Sequence, residues 1–99
     1  MARNQPDAEA AEAIAVEALG FIASDEKLLP RFLSITGIEA HAIREAAREP
    51  GFLAGVLDFV LAHEPTLMEL CAASGRDPAS IVAARRKLAE GDRSFESSI

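Results

Sequence analysis

The sequence has no tryptophan, no tyrosine, a single cysteine and only two histidines. One cysteine, Cys71, excludes an intramolecular disulfide and any metal knuckle built from paired cysteines, and it suits a reducing compartment. Strand-forming β-branched and aromatic residues are sparse beside Ala and Leu, which lead the helix-propensity ranking. No charged leader runs into an apolar segment near Met1, so no secretory signal is expected. The longest apolar run, Phe52 to Ala62, is interrupted by Asp58 and is too short to span a bilayer. These absences point to a cytoplasmic helical protein with no membrane segment.

What is present fits one domain. The chain has 99 residues, of which 49% are hydrophobic, enough for one modest core. The formal net charge is −6, which opposes contact with phosphate backbones and argues against nucleic acid as a partner. The charge is uneven along the chain. Residues 1–26 carry six carboxylates against Arg3, whereas residues 76–93 carry five basic side chains against three acidic ones. Opposite signs at the two ends favour their mutual attraction or different partners.

Helix punctuation is dense. Asp7 is a good N-cap for a helix over Ala8 to Ala23, in which Ala11, Ile14, Ala15, Ala18 and Ile22 form a stripe widened by Leu19 and Phe21. Ser24 and Asp25 offer a second start, for a helix from Glu26 to Thr36. It would bury Leu28 or Leu29, Phe32, Leu33 and Ile35, with Pro30 in an early turn. Gly37 suits the left-handed residue that ends a helix. A third helix is expected over Ala40 to Arg48, with Ile43 and Ala46 or Ala47 facing inward, before a break at Glu49-Pro50-Gly51. Phe52 to Ala62 is apolar nearly all round and reads as a central helix. Thr66 to Ser74 follows as a short fifth helix through Leu67, Met68, Leu70 and Cys71, ended by Gly75. Asp77 and Pro78 then open a sixth helix to about Glu90, striped by Ile81, Ala84 and Leu88. Gly91 is expected to stop it. The expected layout is a flexible 1–6, a single helical domain over 7–91 and a flexible tail over 92–99.

The two halves match at an offset of 38. Between 14–50 and 52–88 there are eight identities in 37 positions, among them Leu19 with Leu57, Phe21 with Phe59, Gly37 with Gly75 and Ile43 with Ile81. The matches fall on stripes and caps. Either a three-helix unit is duplicated, or two Ala/Leu-rich segments share similar punctuation by chance. Both readings give an all-α, compact bundle of about six helices.

Little in the sequence can carry chemistry. Cys71, His41 and His63 are the candidate nucleophile and bases, but Cys71 sits in an apolar stripe, where a thiol acts as a small hydrophobe. His63-Glu64 lacks the second histidine one turn on that a zinc helix requires. No glycine-rich loop carries the lysine of a phosphate cradle. No catalytic, cofactor or metal residues are therefore expected. Asp58 is the one charge in the most apolar helix; it marks a narrow solvent edge or, if buried, needs a partner such as Arg85. Leu28 to Arg48 has the outline of a helix-turn-helix, with Gly37 in the turn and Arg44 and Arg48 on its second helix. Helix six adds Arg85, Arg86 and Lys87. Arg44, Arg48, Arg85 and Arg86 are thus the candidate interaction or DNA face, with Glu39 and Glu45 set against the latter use.

The runs AIAVEALGFIA (13–23), RFLSITGI (31–38) and PGFLAGVLDFVL (50–61) resemble a family of short bacterial proteins, domain of unknown function family 3572, found mainly in alphaproteobacteria. The resemblance spans about residues 8 to 90, and the PGFL…VLDF run is its most specific part. It implies a helical cytosolic bacterial protein and carries no catalytic residues. The function expected is a noncatalytic module that binds another protein or itself; the alternative is a DNA-binding regulator using residues 28–48.

Overall fold

The computed structural model describes residues 7–97, with the side chains of Pro50 and of residues 90–97 outside that description. The expected flexible segment 1–6 and the last two residues of the expected tail lie outside the described residues. Helix α1 spans Ala8–Ala23. Its start follows from Asp7, whose Oδ1 accepts the Ala10 N–H at 2.8 Å and satisfies one donor of the first turn. Helix α2 spans Leu28–Thr36. It begins two residues later than expected because Asp25 Oδ1 takes the backbone N–H groups of Lys27 and Leu28, at 2.8 and 3.0 Å, and holds Glu26 and Lys27 in a turn.

The third expected helix is split. Ala40–Ala42 is a single 3₁₀ turn and α3 covers only Ile43–Ala46, so Arg48 lies beyond it. Pro50 is the reason. It cannot continue a helix from Glu49, yet it suits the first position of a new one, and α4 runs Pro50–Leu61, two residues earlier than expected. Helix α5 spans Glu64–Ser74, with Pro65 tolerated in its first turn. Helix α6 spans Pro78–Ser97 and passes through Gly91, the expected stop. Glycine weakens a helix interior by about 1 kcal/mol without ending it unless the left-handed conformation is required.

Helices α1, α4 and α6 pack mutually and form the centre; α2 lies on α1, and α5 on α4 and α6. Ala11, Ala15, Ala18 and Ile22 from α1 meet Val56, Leu57 and Val60 from α4 and Ile81 and Ala84 from α6, all fully or nearly fully buried. Phe32 of α2 is completely buried and joins α4 through edge-to-face contacts, with ring centroids 5.8 Å from Phe52 and 5.3 Å from Phe59. One expected core residue, Ile35, is not in the core, and Met68 of α5 is likewise exposed. Ile35 is 66% exposed and Met68 50% exposed, because α2 and α5 are outer helices that bury one narrow stripe each.

The offset of 38 is built into the backbone. Gly37 and Gly75 both end helices in the left-handed conformation, at φ of 74° and 78°, and their N–H groups bond Leu33 O and Cys71 O, both at 2.9 Å. Behind each, the same side-chain turn recurs: Ile38 N–H to Thr36 Oγ1 and Arg76 N–H to Ser74 Oγ, both 3.3 Å. Backbone bonds from Ser24 to Gly20, Asp25 to Ile22, Leu29 to Asp25 and Ala42 to Glu39 have counterparts from Ala62 to Asp58, His63 to Val60, Leu67 to His63 and Ser80 to Asp77. Buried positions pair at the same spacing: Ala18 with Val56, Leu19 with Leu57, Ile22 with Val60, and Phe32 with Leu70. The halves share one helical unit in geometry. They differ in its third helix, which is the stub α3 in the first half and the long α6 in the second.

Candidate interaction surface

The candidate nucleophile and one of the two candidate bases are built into the structure. Cys71 is buried on α5, and burial, with a smaller push from Asp77, raises its thiol above the ordinary value, so little thiolate is available. His63, at the residue before α5, bonds through Nδ1 to Thr66 Oγ1 at 2.7 Å. Thr66, the one buried polar residue described, is thereby satisfied. His41 is exposed and lies 2.6 Å from Glu39. Among the described residues, no group of three or more His, Cys, Asp or Glu side chains is placed to hold a metal ion. Nor is any helix long and apolar enough to cross a membrane.

The four arginines singled out from the sequence occupy different settings. Arg44 lies on α3 and Arg48 just past it, both exposed. Arg85, on α6, grips Asp58 of α4 with two bonds, Nε to Oδ1 at 2.6 Å and Nη2 to Oδ2 at 3.0 Å, and those bonds hold its guanidinium protonated above the ordinary value. Asp58 is thus both exposed and paired, and Arg85 is committed to holding α6 on α4. With both partners partly solvated, the pair contributes no more than about 1 kcal/mol. Arg86 is exposed on α6. A second ion pair, Arg76 Nε to Glu17 Oε1 at 2.7 Å, joins the basic C-terminal region to the acidic first helix, in line with the opposite charge of the two ends.

The feature that the sequence reading passed over is on α1. Val16 stands off the buried stripe and is 50% exposed. It lies on the lip of an open groove of about 800 Å³ lined by Val16, Leu19, Gly20, Ala23 and Leu29 on one side and Ala40, His41, Ile43 and Arg44 on the other. A Cβ added at Gly20 would meet nothing within 4 Å, so the wall there is open. Val16 alone among α1's nonpolar residues larger than alanine lies off the Ala11 to Ile22 stripe, and that signal was present in the sequence. That the groove stays open depends on the shortness of α3, which helix periodicity did not show.

Fold and surface together define a small all-α bundle with an apolar groove beside a short helix. The chain belongs to the family described as Protein of unknown function (DUF3572), whose model matches residues 8–91. No curated protein and no solved structure matches the chain.

Proposed function

We propose that the chain is a noncatalytic helical module that works by binding another protein, in the cytoplasm, where Cys71 stays a free thiol. The observation that carries this reading is the half-exposed Val16 on the lip of the α1 groove. An apolar side chain facing an apolar depression gains from being covered, by about 1 kcal/mol or more for a valine. The candidate reactive groups are engaged elsewhere: the thiol is buried, the His63 imidazole is bonded to Thr66, and Arg85 is held by Asp58. DNA binding has less support, since α3 is a single turn where a recognition helix would have to project several side chains.

The test compares the wild-type chain with Val16→Asp and Met68→Asp as immobilised baits. Protein partners retained by wild type and by Met68→Asp, but lost with Val16→Asp, support the reading. Retention that ignores Val16→Asp refutes it.

A further inference from the structure

We infer that the groove on α1 is filled by α1 of a second copy, the two helices packing antiparallel across Val16 and Gly20. This inference rests on the interaction reading above and adds the identity of the occupant. Its starting point is the recurrence at 38 residues. Val16, Gly20 and Ala23 correspond to Ala54, Asp58 and Leu61 of α4, and on α4 that face is covered by a helix. Ala54 is 8% exposed, and Asp58 is clasped by Arg85 of α6. In the first half the covering helix ends at Ala46, cut short by Pro50, and Val16 is left 50% exposed. Val16 is therefore bare where its counterpart Ala54 is covered, although Asp58, the counterpart of Gly20, stays exposed beside Arg85, and a helix is the complement that this contrast suggests.

Charge selects which helix. Arg44 is the lining residue with a fixed charge, and it has no ion-pair partner among the described residues, whereas the neighbouring His41 is bonded to Glu39. The occupant should bring a carboxylate to Arg44. The exposed face of α1 reads Glu9, Glu12, Ala13, Val16, Gly20 and Ala23, acidic in its first half and apolar with small residues in its second. In an antiparallel pair, the acidic half of each α1 lies over the groove half of the other, so Glu9 and Glu12 of one copy approach Arg44 of its partner. The contact is made twice by the two-fold axis, and Gly20 lets the backbones approach closely. Glu17, which would otherwise stand beside the contact, is already paired with Arg76.

Sedimentation velocity of the full chain from about 1 µM to about 1 mM tests the inference. A dimer should form in that range. Val16→Asp and Gly20→Arg, both at open positions, should each weaken self-association at least about tenfold, since each change enters the interface twice. Arg44→Glu should do the same, and adding Glu12→Arg to it should restore the dimer. Met68→Asp should leave it unchanged. A wild-type chain that stays monomeric throughout overturns the inference, as does a dimer that survives Val16→Asp and Gly20→Arg. A monomer whose retained partners are nevertheless lost on Val16→Asp overturns only the self-pairing; one whose partners ignore that change overturns the interaction reading as well.

Discussion

Alanine should act with opposite sign at glycines that differ only in backbone conformation. Gly37 and Gly75 have φ of 74° and 78°, and a Cβ built at either meets nothing within 4 Å. No clash and no new contact follow from Gly37→Ala or Gly75→Ala, so the change in stability reports the backbone alone. Holding an L-residue in the left-handed region costs about 1–2 kcal/mol, which exceeds the gain from restricting the unfolded chain. Gly55 is the control. It lies inside α4 and also has nothing within 4 Å of an added Cβ, so Gly55→Ala should stabilise by about 0.5–1 kcal/mol. For a chain of 99 residues, each kcal/mol moves Tm by about 5 °C. Net of that gain, thermal and urea unfolding followed by circular dichroism should show both cap variants melting about 3–5 °C low and Gly55→Ala about 3–5 °C high, with unchanged m-values. The two cap variants should agree with each other within error, because their hydrogen bonds and dihedrals are the same. A cap variant that is neutral or stabilised, or two cap variants of opposite sign, would refute both the cap geometry and the recurrence built on it.

Further outcomes follow from single contacts. Phe32→Ala removes a fully buried ring that meets Phe52 and Phe59, and should cost about 3–5 kcal/mol in urea unfolding, a large part of the stability of a domain this small. Asp58→Asn should cost no more than about 1 kcal/mol, and less in high salt, because the pair with Arg85 is partly solvated. Cys71 should react with a thiol reagent far more slowly in the folded chain than in urea. Its folded value lies above that of the unfolded chain, so its contribution to stability is present below the ordinary thiol value and is lost as pH rises through the folded one. Cys71→Ser should flatten that alkaline slope in urea melts, and an unchanged slope would assign it to other groups.

The fold was legible wherever a local rule decided the outcome. Asp7, Gly37, Gly75 and Pro78 act through groups within four residues of themselves, and each stands where those rules put it. The stripes of α1 and α6 were legible because long helices repeat their period often enough to define one face. Short outer helices do not. Ile35 and Met68 sit at helical spacing from buried residues and still face solvent, since the width of the buried stripe is set by the neighbouring helix and not by the period. Pro50 and Pro65 look like breaks along the sequence, though each also suits a first turn, and in the structure that second role prevails. The groove was only half legible. Val16 is visible as an apolar residue off its stripe, but its exposure depends on α3 ending after one turn, a consequence of where Pro50 lies and of how α1 sits beside it.

The most direct test of the claim that α1 of a second copy fills the α1 groove is a concentration series of amide chemical shifts across this chain. The account predicts concentration-dependent shifts at Val16, Gly20, Ala23 and Arg44, with α5 around Met68 unchanged. Shifts centred on Met68 or Ile35, or none at any concentration, would contradict it.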